Sequence, residues 1–227
     1  MKYVEYYGET MISIIIRTYN NASTIERAVK SALAQTFKDK EIIVVNDGST
    51  DKTGEILNYF GSAVKVINQE NKGALESGYV GLSHARGEYV FFLDGDDEMD
   101  AGTILELYTS LLETGEDYGF SYCDYYQIEG GERSIVTVEN VFDSLVGGIL
   151  VRREVLDNIR FWNKDFLLPE YDFLIRMMQK YKGIHVRKPL YWYYRHGGNM
   201  TANREFVAKA QKQIVQKYGD DLRIKSD

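Results

Sequence analysis

Cysteine and proline are scarce in this chain. Among 227 residues there is one cysteine, Cys123, and there are two prolines, Pro169 and Pro189. A single cysteine excludes an intramolecular disulfide framework and a cluster of thiolate metal ligands, so we expect Cys123 in the core. Neither proline lies in a proline-rich or serine-rich stretch, so the sequence gives no sign of a flexible linker between independent domains. We expect one large domain, or a domain with a small appendage.

Long apolar runs and net positive charge are also missing. No segment approaches the roughly 20 apolar residues of a membrane-spanning helix. The net charge of −7 and the pI near 5.1 argue against binding of nucleic acid through phosphate neutralisation. We therefore expect a cytoplasmic protein without a nucleic-acid partner. Lysine and arginine become denser after Arg152, so peripheral association of this later half with the inner face of a membrane stays open.

Apolar runs alternate with helical patterns in the first hundred residues. The runs occupy residues 11–16, 41–46, 64–67 and 89–93, and a helical pattern follows each of the first two. Strands that are apolar on both faces and alternate with amphipathic helices predict a mostly parallel sheet covered by helices on both sides. The predicted fold class is therefore α/β, with a Rossmann-like sheet.

The regular alternation ends after residue 100. The second half predicts strands at 118–126, 147–152 and 190–194, a hairpin around 129–132, and helices at 101–112, 155–159, 169–182 and 205–218. Pro169 suits the first turn of its helix, because proline lacks the N–H group that is unsatisfied there in any case.

Polar residues follow three of the predicted strands, at 17–21, 47–51 and 94–97. Ligands of parallel sheets bind at the carboxyl ends of the strands, so we expect these loops to meet in one crevice. The cluster Asp94-Gly-Asp-Asp97 offers the oxygen ligands that Mg²⁺ and Mn²⁺ prefer. Taken alone, it could equally be an acidic surface turn. An EF-hand is excluded because Met99 and Leu105 stand where that loop needs glycine and glutamate.

Four motifs in this order resemble those of family 2 glycosyltransferases. They lie at residues 14–20, 44–51, 92–97 and 170–176, and the resemblance spans roughly residues 11–201. It implies a GT-A fold with a smaller acceptor-side region, and a nucleotide-sugar donor, usually a UDP-sugar. It further implies transfer with inversion to a hydroxyl of a glycan or glycolipid, assisted by Mn²⁺ or Mg²⁺.

The resemblance also divides the chain and assigns its donor site. Residues 1–100 would form the nucleotide-sugar-binding half, and residues 101–227 the acceptor-binding and catalytic half of the same single domain. The implied nucleotide-binding residues are Thr18, Tyr19, Asp47, Lys72, Asp94 and Asp96. Thr18, Tyr19 and Asp47 would contact the uracil and ribose, and Asp94 would support the ribose side of the site.

Metal ligation is implied for Asp96, Asp97 and His196. His196 lies in a segment that similar enzymes fold over the diphosphate, where imidazole can ligate the metal or donate to phosphate. A surface histidine is the alternative interpretation. Arg195 is a further candidate for contact with phosphate.

Glu170 occupies the position at which related enzymes carry the aspartate that acts as catalytic base. The alignment runs through Asp172 and Arg176, and it places Pro169 where a glutamate usually precedes the base. Glutamate keeps the carboxylate and adds one methylene group, so we predict that Glu170 is the base. The alternative is a first-turn carboxylate that merely stabilises its helix. Arg17 is another departure, because it replaces a proline that is common at that turn.

Two other functions compete with transfer. A sugar nucleotidyltransferase needs a glycine-rich loop after the first strand, and residues 17–21 contain no glycine. A non-catalytic nucleotide-sugar or glycan-binding module, derived from a transferase, stays open because Pro169 and Glu170 are unusual. Binding without turnover would distinguish that module from an enzyme.

Overall fold

Strands and helices alternate in the first half of the chain, as the apolar runs predict. The computed structural model describes residues 10–220 except 116, 140–142, 144–146, 160–162 and 164. The first-half elements are β1 (Ile12–Thr18), α1 (Ile25–Leu33), β2 (Lys40–Asp47), α2 (Thr53–Asn58), β3 (Lys65–Gln69), α3 (Ala74–His84) and β4 (Tyr89–Asp94). β1 lies between β2 and β4, and β2 pairs with β3, all in parallel.

The second half adds antiparallel strands to this sheet. Its elements are β5 (Glu98–Met99), α4 (Thr103–Leu112), β6 (Tyr118–Glu129), β7 (Glu132–Val136), β8 (Ile149–Arg152), α5 (Arg153–Ile159), α6 (Pro169–Lys180), β9 (Lys182–Arg195) and α7 (Arg204–Tyr218). The predicted hairpin is confirmed, because β6 and β7 pair antiparallel across Glu129 and Glu132. Within the described residues, the strand order is β3-β2-β1-β4-β8-β6-β9-β5, with β7 on β6.

The α/β fold class is thus confirmed, and the first four strands, β1 to β4, form a parallel part of the sheet. β8 is antiparallel to both β4 and β6, whereas β6 and β9 are parallel. The sheet as a whole is therefore mixed. β9 also begins at Lys182, well before the predicted strand at 190–194, because β6 gives it a partner along its length.

The core lies on both faces of the central strands. All seven residues of β1 are buried, and α1 covers them with Ile25, Ala28, Val29 and Ala32, whose spacing places them on one helical face. Cys123 is also buried, as expected, and desolvation raises the pKa of its thiol to about 12. Among the described residues, no helix has both the length and the apolar character needed to cross a membrane.

Candidate active site

The loops after β1, β2 and β4 meet at one edge of the sheet. Asn20 joins the first two loops: its N–H donates to Ser49 Oγ at 2.9 Å, and its Oδ1 accepts from the Thr50 N–H at 2.8 Å. Asn20 has a positive φ of 52°, in the left-handed region that asparagine tolerates. The third loop is attached through the Gly95 N–H, which donates to the main-chain oxygen of Arg17 at 2.9 Å. The predicted convergence is therefore observed.

A cavity of about 820 Å³ opens at this edge. This volume lies within the range typical of small-molecule and cofactor sites. Lys72 is the one predicted site residue that does not line it. The predicted residues that do are Thr18, Tyr19, Asp47, Asp94, Asp96, Asp97, Glu170 and His196.

The second half of the chain supplies the rest of the lining. Tyr125 and Gln127 on β6 stand beside Tyr193 and Arg195 on β9, and Tyr171 on α6 adds a third ring. No motif in the sequence marks Tyr125 or Gln127 as a site residue. Their spacing of two residues along a strand was the available signal, but only the pairing of β6 with β9 shows which face of the strand borders the cavity.

The first loop forms one wall of the cavity. Thr18 is buried, and its hydroxyl donates to Asn21 Oδ1 at 2.9 Å. Gly95 packs directly against it, since a Cβ atom at that position would lie 2.7 Å from Thr18 Oγ1. Tyr19 is 48% exposed and lines the cavity, so its ring is available to a ligand.

Asp47 is buried and holds the loop that follows β3. Its Oδ1 accepts from Gln69 Nε2 at 2.6 Å and from the Lys72 N–H at 2.9 Å, and its Oδ2 accepts from the Gly73 N–H at 2.8 Å. The structure thus shows Lys72 acting through its main chain. Nucleotide contacts by Asp47 and by the Lys72 side chain stay predictions.

Arg17 brings a buried positive charge to the site. Its Nη2 lies 2.5 Å from Asp94 Oδ1, and its side chain is almost fully covered. Desolvation alone would lower the pKa of Arg17, but the charges of Asp94 and Glu170 outweigh this effect and raise it. A guanidinium therefore stands among the carboxylates of the site.

Asp96 and His196 come together from opposite halves of the chain. His196 Nε2 lies 3.0 Å from Asp96 Oδ2, and Asn199 Nδ2 donates to the same oxygen at 3.2 Å. Burial, followed by the charge of Asp94, raises the pKa of Asp96. The structure therefore joins two of the three residues predicted to ligate a metal.

This pair fits two neighbouring positions of a divalent cation. Asp96 Oδ2 and His196 Nε2 are joined by a hydrogen bond of 3.0 Å. Two ligands about 2.1 Å from an octahedral ion and at right angles to each other would also stand about 3.0 Å apart, so a cation could take the place of the shared proton. Within the described residues, no group of three or more His, Cys, Asp or Glu side chains is arranged to hold a metal. Phosphate oxygens and water would supply further ligands.

Asp97 is engaged by the protein itself. It is 2% exposed, its Oδ2 accepts from the Tyr191 hydroxyl at 2.7 Å, and its Oδ1 accepts from the Tyr194 N–H at 2.9 Å. Burial, then the charges of Asp96 and Asp94, raise the pKa of Asp97 well above its usual range. These two hydrogen bonds fasten the turn after β4 to β9, and metal ligation by Asp97 stays a prediction.

Glu170 lies in the first turn of α6 and lines the cavity. Its Oε2 is buried and has no hydrogen-bond partner among the described residues. Burial raises the pKa of Glu170, while the charge of Arg17 opposes that rise. A carboxylate with a free oxygen and a raised pKa is suited to accept a proton from a ligand.

The family model of Glycosyl transferase family 2 matches residues 13–197. The chain is 32% identical over 170 residues to the glycosyltransferase GlyG of Streptococcus pneumoniae, which covers 72% of this chain and 56% of that protein. The chain thus spans little more than half of GlyG. It is also 32% identical over 225 residues to the UDP-Glc:alpha-D-GlcNAc-diphosphoundecaprenol beta-1,3-glucosyltransferase WfaP of Escherichia coli, covering 92% of this chain and 87% of WfaP.

A solved structure shows the same fold. Glucosyl-3-phosphoglycerate synthase from Mycobacterium tuberculosis, in complex with Mn²⁺, UDP and glucosyl-3-phosphoglycerate, superposes with a TM-score of 0.66. The match has 19% identity and covers 93% of this chain and 82% of that chain. The fold is therefore GT-A, as the resemblance implied. Because the family model covers most of the sequence, the chain belongs to family 2 of the glycosyl transferases.

Proposed function

We propose that this protein transfers a sugar from a nucleotide-sugar donor, with uridine as the nucleotide, to a hydroxyl group of a glycan or glycolipid. Two relatives support these choices. The name of WfaP specifies a UDP-glucose donor and a lipid-linked sugar acceptor, and the mycobacterial synthase holds UDP with Mn²⁺. A buried Glu170 oxygen that is free to accept a proton, in the same cavity as the Asp96–His196 pair, carries the proposal.

The two halves of the single domain would divide the substrates between them. Loops of residues 1–100 bring Thr18, Tyr19 and Asp94 to the donor side of the cavity. Residues 101–227 bring Tyr125 and Tyr193, whose rings meet edge to face at 6.1 Å. Aromatic rings with nearby polar groups suit the apolar faces and hydroxyl groups of a sugar, so we assign the acceptor to this side.

The reaction is a single displacement. The Glu170 carboxylate takes the proton of the acceptor hydroxyl while the hydroxyl oxygen bonds to the anomeric carbon of the donor sugar. The bond from that carbon to the diphosphate breaks at the same time, and its electron pair leaves with the nucleoside diphosphate. Because the acceptor enters on the face opposite the leaving group, the anomeric centre inverts.

The diphosphate gains negative charge as it leaves. Asp96 and His196 are the residues that would hold a divalent cation, Mn²⁺ or Mg²⁺, and such a cation neutralises the developing charge as a Lewis acid. Asp97 stays the third predicted ligand, and it also fastens the turn that carries Asp96. Arg17 would favour the ionised form of Glu170, because its charge opposes the rise in the pKa of Glu170 that burial causes.

The proposal is tested by incubating the protein with a panel of UDP-sugars and Mn²⁺ and measuring the release of UDP with and without glycan acceptors. Glu170→Gln should bind the donor as the wild type does and lose transfer. Glu106→Gln makes the same chemical change in the first turn of α4, where Glu106 pairs with Lys188 outside the cavity, and should keep wild-type activity. Asp96→Asn should lose metal-dependent donor binding.

Normal transfer by Glu170→Gln would show that the base has been assigned wrongly. Donor binding by the wild type without any turnover, across all donors and acceptors, would instead favour the non-catalytic binding module.

A further inference from the structure

Arg27, on α1, contacts the turn that carries Asp96. Its Nη2 donates to the main-chain oxygen of Asp96 at 2.5 Å, and its Nε lies 3.9 Å from Glu98 Oε2. The Arg27 side chain is one-third exposed and does not line the cavity. Arg27 therefore holds the turn that carries Asp96 without lining the cavity in which a substrate would bind.

The same guanidinium also holds the end of β9. Arg27 Cζ lies 3.5 Å from the centre of the Tyr194 ring, and the Tyr194 hydroxyl donates a short hydrogen bond to Glu98 Oε1. Tyr194 comes two residues before His196. One side chain thus contacts both segments that lead to the Asp96–His196 pair.

We propose that Arg27, resting on Tyr194, is a positioning residue that fixes the separation of Asp96 and His196 and so sets the affinity of this pair for a divalent cation. The inference rests on the proposed function, in which these two residues hold the cation. A charged donor makes a stronger hydrogen bond to a carbonyl than a neutral one does, and a stacked guanidinium adds an attraction to the ring.

The expected effect is large for a residue that does not touch the cation. Outer contacts that orient metal ligands typically change metal affinity by roughly 10- to 100-fold when removed. Without Arg27, the Asp96 turn would still be held by Asp97, which bonds to Tyr191 and the Tyr194 N–H. We therefore expect a loosened pair in a folded protein.

The test is a titration of the whole chain with Mn²⁺ in the presence of UDP, with free Mn²⁺ measured by electron paramagnetic resonance. Arg27→Met, which keeps side-chain length but loses charge and donors, should weaken Mn²⁺ binding roughly 10- to 100-fold. Lys30→Met is the matched control, because it removes one exposed positive charge from the same helix. It should bind Mn²⁺ as the wild type does, and all three proteins should bind UDP equally without metal.

Two further variants make the result specific. Arg27→Lys can reach the carbonyl but cannot stack as a plane, so its Mn²⁺ affinity should fall between those of the wild type and Arg27→Met. Tyr194→Leu removes the ring beneath the guanidinium and should also weaken Mn²⁺ binding. It serves as the test if Arg27→Met does not fold.

Wild-type Mn²⁺ affinity in folded Arg27→Met, with binding lost in Asp96→Asn, would overturn this inference and leave the proposed function intact. If the wild type itself bound no Mn²⁺ with UDP, the metal part of the proposed function would fail, and the inference would fail with it.

Discussion

The attachment of α6 to α7 gives a quantitative prediction about stability. Asp172 is fully buried, two residues after Glu170, and it receives three donors. Its Oδ2 accepts from Arg176 Nε at 2.6 Å, and its Oδ1 accepts from Lys217 Nζ at 3.0 Å and from the Tyr218 hydroxyl at 2.5 Å. Lys217 and Tyr218 belong to the last turn of α7, so this carboxylate joins the two helices.

Asp172→Asn should destabilise the protein by about 2–3 kcal/mol. Removing one partner of a buried ion pair typically costs about 3–5 kcal/mol, and we take less because the side chain of Lys217 is 46% exposed and therefore screened. For a chain of this size, a loss of 1 kcal/mol lowers Tm by roughly 2–4 °C, so Tm should fall by about 4–12 °C. Glu205→Gln, which breaks an exposed pair with Lys209 on α7, should cost only about 0.3–0.5 kcal/mol.

The gap in stability loss between Asp172→Asn and Glu205→Gln should depend on pH. Burial alone would raise the pKa of Asp172, but the hydrogen bonds from Tyr218, Lys217 and Arg176 outweigh burial and lower it. A carboxyl with a lowered folded-state pKa stabilises the fold at neutral pH, and this stabilisation is lost as pH falls through the folded-state pKa. Urea denaturation at pH 7 and pH 3, followed by tryptophan fluorescence, measures both quantities. Equal losses in Asp172→Asn and Glu205→Gln at pH 7, or a gap unchanged at pH 3, would refute this reasoning.

Three shorter predictions concern the cavity. Arg17→Met should shift the acid limb of the pH–rate profile to higher pH, because Glu170 loses the positive charge that opposes the rise in its pKa. An acid limb at the wild-type pH would show that Arg17 does not affect the ionisation of the base. Tyr191→Phe should lower the free energy of unfolding by about 1–3 kcal/mol, because it leaves buried Asp97 Oδ2 without its donor; urea denaturation should show the loss. Chelation with EDTA should abolish UDP release, and Mn²⁺ should restore it. Undiminished release in EDTA would show that the reaction needs no divalent cation.

The local sequence pattern was enough to locate most of the residues predicted to bind the donor. β1 and β4 are buried on both faces, so their apolar runs located the strands to within two residues of the observed bounds at each end. Once the strands are placed, the meeting of the loops at 17–21, 47–51 and 94–97 follows from parallel pairing alone. For this reason most of the predicted donor residues border the cavity.

Other features depend on contacts between distant segments. The motif of Asp97 predicts a metal ligand, and its hydrogen bond from Tyr191, 94 residues later, cannot be predicted from that motif. Arg27 lies in an ordinary amphipathic helix, and its contact with Asp96 spans 69 residues. The first part of β9 carries exposed residues such as Arg187 and Lys188, so no apolar pattern marks it as a strand.

A crystal of this protein soaked with uridine diphosphate and Mn²⁺ tests the central claim most directly. We predict the ion on Asp96 and His196, with the diphosphate completing its coordination, and the Glu170 carboxylate facing the open side of the cavity where an acceptor would enter. An ion bound elsewhere, or a Glu170 carboxylate turned away from the cavity, would contradict the account.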